Sequence, residues 1–286
     1  MGLSRLLQRL HLLPTPQVVP VVRLAGVLSA GQTPLRGSGL SLQRVAPSLK
    51  KAFAMPGARA VALTINSPGG SAVQSSLIAR RIRQLSREKN LPVIAFVEDV
   101  AASGGYWLAA AADEIVVDAS SIVGSIGVVS GGFGFTEAIR KLGIERRVHT
   151  AGEKKGMLDP FRPEKAEEVE HLKTLQGEIH RRFIAWVKER RGLKLKGSEA
   201  ELFSGAFWTG ESAVRMGLAD ALGELRGVLR ERFGSKVRLV PIERKRSWLG
   251  SLLGGRTAER EDRFVEAGAG LLAAIEERFL WNRFGL

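Results

Sequence analysis

A serine in a turn of small residues is the strongest candidate for chemistry in this sequence. Ser103 lies between an apolar run of buried-strand type (92–97) and a run of helix-forming residues (106–112). A hydroxyl in such a turn projects from the carboxyl edge of a parallel sheet, where α/β proteins form their sites. The amides of Gly104 and Gly105 would lie at the positive end of the helix and could stabilise an oxyanion. The same pattern is also typical of a serine that simply caps a helix.

A second glycine-rich turn follows a neighbouring strand. Residues 66–70 (NSPGG) separate a β-rich run (59–65) from an amphipathic helical pattern (72–86). Taken alone, this is an ordinary turn before a helix. Two such turns in adjacent strand–helix units can form both walls of an oxyanion site, which favours a catalytic interpretation of Ser103.

Composition and motifs exclude several other kinds of chemistry. The chain has no cysteine, so disulfides, thiolate zinc sites and thiol catalysis are excluded. Its four histidines are scattered, and we expect neither a metal nor a cofactor. The sequence lacks a phosphate-binding loop and a complete dinucleotide motif, and Ala101 breaks the hydrolase pattern G-x-S-x-G around the serine. A Ser-His-Asp triad stays open, with His149 as the only candidate histidine outside the tail and the helical segment.

Three motifs in this order and spacing resemble the S49 peptidases. They are NSPGG at 66–70, AASGGY at 101–106 and GSIGV at 124–128. The resemblance covers about residues 18–225 and implies a ClpP/crotonase-like fold with a serine-lysine dyad. It also implies rings of protomers, in which the serine and the lysine sometimes come from neighbouring protomers. By this resemblance Ser103 is the nucleophile of a peptidase that works through an acyl-enzyme.

The resemblance also identifies a general base. The family places its lysine in the context G-x-x-K-x-x-x-x-P, which Gly152, Lys155 and Pro160 supply here. The adjacent Lys154 departs from the family pattern and is the alternative base, while two consecutive lysines are otherwise typical of a charged surface. A lysine accepts a proton only when it is neutral, and its ordinary pKa is about 10.4, so the mechanism requires a dry environment for the base.

Further site residues follow from the same resemblance. Ser125 matches the serine that hydrogen-bonds the lysine, although it could be a turn serine. The oxyanion and substrate-binding residues would be Gly69, Gly70 and Gly104, with the amides of Gly70 and Gly104 facing the oxyanion.

The pattern of elements predicts an α/β fold with repeated ββα units and a mainly parallel sheet covered by helices. Strands are expected at 17–24, 59–65, 92–97, 115–117, 126–129 and 237–241, and helices at 72–86, 106–112, 163–191 and 212–216. We expect a tail at 1–16, one ClpP/crotonase-like domain at 17–242, and a basic, amphipathic segment at 243–286.

The net charge and the apolar stretches of the chain indicate which partners and which location to expect. The net charge of +14 attracts polyanions, either nucleic acid or an anionic lipid surface. No stretch has the length and apolar character of a transmembrane helix, so we expect a cytoplasmic protein with peripheral contact to anionic membrane and no nucleic acid partner. The apolar stripe within residues 263–286 would either pack on the protein or lie in a membrane interface.

Three functions remain open at this point. The first is a homo-oligomeric serine endopeptidase that cleaves hydrophobic peptides such as signal peptide remnants. The second is a crotonase-like acyl-CoA enzyme, which uses a similar pair of glycine-rich turns to bind a thioester enolate. The third is a non-catalytic basic scaffold. Covalent labelling of Ser103 and turnover of acyl-CoA would separate them.

Overall fold

The computed structural model of the chain describes residues 17–30, 39–242 and 278–285. The strands are β1 Val18–Ala25, β2 Val61–Ser67, β3 Val93–Ala102, β4 Glu114–Val117, β5 Ile122–Gly124, β6 Phe207–Thr209, β7 Ala221–Leu222 and β8 Arg238–Pro241. The helices are α1 Leu42–Phe53, α2 Ala72–Lys89, α3 Gly104–Ala109, α4 Thr136–Lys141, α5 Ala166–Arg191, α6 Glu199–Leu202, α7 Gly210–Arg215 and α8 Leu225–Phe233. A short helical stretch also covers residues 278–282.

These strands form one mainly parallel sheet. Its order is β6-β5-β3-β2-β1-β8, with β4 pairing with β3 and β7 pairing with β4. Every pair is parallel except β5 with β6. Parallel strands need crossover connections, and α1, α2 and α3 provide those from β1 to β2, from β2 to β3 and from β3 to β4.

The sheet is covered on both faces, as the alternation of buried residues shows. Leu63 and Ile65 of β2 belong to a large apolar cluster with residues of α1, α2, α3 and α5. Ala62 of β2 and Ile94 of β3 belong to a second cluster, which includes Leu229 of α8. Successive side chains of a strand point to opposite faces, so both faces of the central strands are packed.

Most predicted elements are confirmed, one predicted strand is wrong, and several described elements were not predicted, among them α1. The strand expected at 126–129 is wrong, because β5 ends at Gly124 and the positive φ angles of Gly124 (116°) and Ser125 (52°) turn the chain away from the sheet. Helix α1 was not expected, although Val45, Leu49 and Phe53 bury a regular apolar face. Residues 31–38, the tail at 1–16 and most of 243–286 lie outside the described residues.

A buried ion pair joins the end of α5 to the sheet. The guanidinium of Arg191 donates to Asp220 at 2.7 Å, with side chains 2% and 16% exposed. Lys194 and the backbone N–H of Ile115 also donate to this carboxylate. Burial alone would raise the pKa of Asp220, but the hydrogen bonds from Arg191, Lys194 and Ile115 outweigh it and hold the pKa below its ordinary value.

In the ranges that the structure describes, no helix combines the length and apolar character needed to cross a bilayer.

Candidate active site

Ser103 occupies the junction between β3 and α3 in an unusual backbone conformation. Its φ is 51° and its ψ is −119°, and its N–H donates to the carbonyl of Gly124 at 2.8 Å. The Ser103 side chain stands at the N-cap position of α3 but makes no capping hydrogen bond. Positive φ in a residue other than glycine costs about 1–3 kcal/mol and is found where the surrounding structure imposes it. The hydroxyl is therefore presented by the turn, and helix capping does not explain it.

The second glycine-rich turn packs directly against Ser103. Gly69 has a φ of 108°, and a Cβ built there would lie 2.8 Å from the Cβ of Ser103, so only glycine fits. The carbonyl of Gly69 accepts from the N–H of Leu28 at 2.8 Å, and the N–H of Ser71 donates to the Leu28 carbonyl at 2.7 Å. The intervening amide of Gly70 takes no part in this pairing.

Two amides beside the serine are unengaged. Among the described residues, neither the N–H of Gly70 nor that of Gly104 has a hydrogen-bond acceptor. Both residues line the same cavity as Ser103. Neighbouring backbone donors without other partners are one requirement of an oxyanion site.

The cavity beside Ser103 has a volume of about 250 Å³ and mostly apolar walls. Its larger side chains within the domain are Trp107, Val128, Val129, Ile179 and Phe183. Trp107 and Phe183 stack with ring centroids 4.5 Å apart, and the indole N–H of Trp186 donates to the Trp107 carbonyl at 3.1 Å. Helix α5 is thus fixed against α3, and together they form a wall suited to apolar side chains.

Ser125 lies in the segment that holds Ser103. It follows Gly124, the acceptor for the Ser103 N–H, and its own N–H donates to the carbonyl of Ala206 at 2.7 Å. The residue is only 4% exposed and has a φ of 52°. The structure therefore brings Ser125 into the same region as Ser103, Gly69, Gly70 and Gly104.

Lys155 is not brought to this cavity within the protomer. It lies exposed in a turn, where its N–H donates to the carbonyl of Gly152 at 3.1 Å. In the described part of the chain its ammonium makes no hydrogen bond to Ser103 or Ser125. Lys154 is exposed as well.

Both lysines belong to an arm, which we define as residues 130–165. No residue of the arm is buried. Its internal contacts include the rings of Phe135 and Phe161, with centroids 5.5 Å apart, and the ion pair of Arg146 with Asp159 at 3.1 Å. Several of its large apolar side chains are exposed, namely Phe133, Phe135, Leu142, Ile144 and Val148. The arm therefore leaves apolar surface and both lysines exposed on its own protomer.

The histidines do not complete a triad in the described structure. His149 is exposed on the arm. A ring nitrogen of His180 lies 2.9 Å from the carbonyl oxygen of Ile126, which ties α5 to the segment after Ser125. Sequence reasoning had not found this contact or the contribution of α5 to the cavity, since both depend on residues far apart in the chain.

The fold and site together define an α/β protein of the ClpP-like class, with a serine at a strand-to-helix turn beside two free amides. The sequence pattern of peptidase family S49 matches residues 85–233, more than half of the chain. The chain belongs to this family.

Curated relatives cover the chain well but are much longer. A protein named Na(+)/H(+) antiporter NhaA from Brucella abortus is 54% identical over 273 residues, which make up 94% of this chain and 37% of that protein. Protease 4 of Haemophilus influenzae is 33% identical over 77% of this chain and 35% of its own length. The chloroplastic serine protease SPPA of Arabidopsis thaliana is 31% identical over 83% of this chain and 36% of its own length. This chain thus spans little more than a third of these relatives.

A solved structure shares the fold. A membrane-bound stomatin-specific protease in complex with a substrate peptide superposes with a TM-score of 0.52 at 15% identity, covering 84% of this chain and 97% of that one. At this identity the likeness concerns the fold alone.

Proposed function

We propose that this chain is a serine endopeptidase whose nucleophile is Ser103. The observation that carries the proposal is the conformation of Ser103, held at positive φ at the start of α3 beside the free amides of Gly70 and Gly104. Membership of family S49 and the names of two relatives, protease 4 and serine protease SPPA, support the same activity.

The chemistry proceeds through an acyl-enzyme. The Ser103 Oγ attacks the carbonyl carbon of the scissile peptide bond while its proton passes to the neutral Nζ of Lys155. The amides of Gly70 and Gly104 donate to the oxyanion. When the carbon–nitrogen bond breaks, the lysine gives its proton to the leaving amine. Water then hydrolyses the ester, with Lys155 again accepting a proton, and Ser103 is regenerated.

Lys155 must reach the serine from outside the core of its own protomer. The arm carries it on an exposed turn, and the arm's exposed apolar side chains offer a surface for a second copy of the chain. In the proposed oligomer the arm of one protomer places Lys155 beside Ser103 of the next. Ser125 then orients the Nζ of Lys155 by a hydrogen bond, as the family resemblance implies.

The apolar cavity supports hydrophobic peptides as substrates, including the remnants of signal peptides. Side chains from α3, α5 and residues 128–129 would surround a substrate side chain next to the scissile bond. The structural neighbour was solved with a substrate peptide, which supports peptide binding on this fold. The net charge of +14 supports work in the cytoplasm at an anionic membrane surface, where such substrates are released.

Labelling with a fluorophosphonate, a reagent for activated serines, tests the nucleophile. We expect one adduct on Ser103, located by peptide mass spectrometry, and none in Ser103→Ala. The matched control is Ser125→Ala, which should still be labelled at position 103. An adduct on another serine, or acyl-CoA turnover without peptidase activity, would contradict the proposal.

A further inference from the structure

The wall of the nucleophile cavity is completed by residues from far along the chain. Residues 278–285, the C-terminal segment, contribute Leu280 and Arg283 to the cavity that contains Ser103 and Gly104. These positions lie well beyond β8, the last strand in the part of the chain that the structure describes.

The segment is held by an aromatic contact next to the site. The ring of Phe284 meets that of Phe207 edge-on, with centroids 5.1 Å apart. Phe207 pairs with Gly124 in the β5–β6 ladder, and Gly124 is the residue that accepts the Ser103 N–H. The segment is therefore docked on the strand pair that positions the nucleophile.

The two faces of the segment differ. Leu280, Trp281 and Phe284 are half-buried, whereas Phe279 is 62% exposed. Arg283 is the only charged residue among those that line the cavity in the described structure. Without the segment the cavity would have uncharged, mainly apolar walls and would be open on this side.

We propose that the C-terminal segment is an intramolecular ligand of the peptide-binding site, lying where part of a substrate would lie and yielding to it. The statement that it competes with substrate rests on the proposed function, whereas its docking does not. Because segment and site share one chain, contacts that hold a free peptide only weakly are enough to keep the segment docked. An incoming peptide binds only the fraction of molecules in which the site is open, which weakens its apparent affinity.

The test uses the full-length chain with single substitutions. Leu280→Asp removes an apolar contact at the cavity, and Phe279→Asp makes the same chemical change on the exposed side of the segment. We expect kcat/KM for an apolar peptide substrate to rise about five- to tenfold in Leu280→Asp, through KM, with little change in Phe279→Asp. An unchanged or lower kcat/KM in Leu280→Asp, at equal thermal stability, would overturn the proposal.

A binding measurement keeps the two proposals distinguishable. A fluorescein-labelled peptide of residues 278–286 (RFLWNRFGL) should bind to the Leu280→Asp protein, as measured by anisotropy, more tightly than the same peptide with aspartate in place of its leucine. Binding without any peptidase activity would leave the docking intact and remove the proposed function. Peptidase activity together with equal binding of the two peptides would remove the docking and leave the proposed function intact.

Discussion

At the scale of single residues, alanine substitutions at the proposed dyad and at Ser125 should lower peptidase activity to different degrees. Ser103→Ala and Lys155→Ala should each lower kcat/KM at least about a thousandfold, because nucleophile and base act as one unit. Ser125→Ala removes a directing hydrogen bond and should cost about ten- to a hundredfold. Peptide hydrolysis with matched melting curves measures all three. Lys154→Ala is the control for Lys155→Ala. If only Lys154→Ala lost activity, the general base would be Lys154.

Gly69 makes a sharper prediction about geometry. Its φ of 108° and its approach to Ser103 leave no room for a methyl group. We expect Gly69→Ala to lower stability by about 1–3 kcal/mol and to reduce labelling of Ser103 by the fluorophosphonate more than tenfold. Gly57→Ala is a matched control, since Gly57 also has positive φ (74°) but nothing within 4 Å of its added Cβ. A Gly69→Ala protein labelled at the normal rate would show that the two turns need not be in contact.

At the scale of elements, the arm predicts complementation between inactive variants. If the arm of one protomer brings Lys155 to Ser103 of its neighbour, a mixture of the Ser103→Ala and Lys155→Ala proteins regains sites that contain both groups. In a random one-to-one mixture this is about a quarter of sites. Activity should therefore return on mixing after dissociation and reassembly. A mixture that stays inactive while the assembly re-forms would place both groups in one protomer.

The Arg191–Asp220 pair predicts a pH-dependent part of stability. The pKa of Asp220 is lowered in the folded state, so its stabilisation is present above the unfolded value of about 3.9 and is lost as pH falls through the folded pKa. Asp220→Asn removes the charged partner of the buried Arg191 guanidinium, which then keeps its hydrogen bonds to the Gly217 carbonyl, and should cost about 3 kcal/mol at pH 7.

Urea unfolding at several pH values measures that cost, and the difference from the native chain should shrink in acid. The control is Glu211→Gln, which breaks the exposed pair with Arg215 and should change stability by less than about 1 kcal/mol. A pH-independent cost of Asp220→Asn would argue against a role for its charge.

Sequence predicted the elements whose patterns are local. The apolar, β-rich runs of β2 and β3 and the helical periodicity of α2 are visible in the chain, and parallel strands send their carboxyl ends to one edge. That is why the turns at Gly69 and Ser103 could be expected to meet. The end of β5 at Gly124 could not be predicted, because a serine at positive φ, such as Ser125, has no distinctive pattern in the sequence.

The rest of the site depends on contacts that sequence spacing does not encode. The stacking of Phe183 on Trp107 joins positions in separate helices, and Leu280 lines the cavity although it lies about 40 residues beyond β8 in the chain. The position of Lys155 relative to Ser103 could not follow from the chain either, since the arm has no buried residue to fix it against its own core.

At the scale of the whole molecule, the net charge of +14 predicts attachment to anionic surfaces. The full chain should sediment with vesicles that contain phosphatidylserine and not with purely zwitterionic ones. Binding should weaken steeply between about 0.05 and 0.5 M salt because the attraction is screened. Equal binding to both vesicle types would point to apolar insertion in place of charge.

The pairing of β1 with β8 sets the order in which the molecule can be completed. Val18 pairs with Arg238, about 220 residues later, so β1 has no partner on that side until nearly the whole domain has been synthesised. At about 5–20 residues per second, the ribosome exposes this strand edge for roughly 10–45 s. An unpaired edge invites pairing with other chains. A nascent chain that stops before residue 238 should therefore aggregate even though its proposed nucleophile, base and oxyanion residues have all been made.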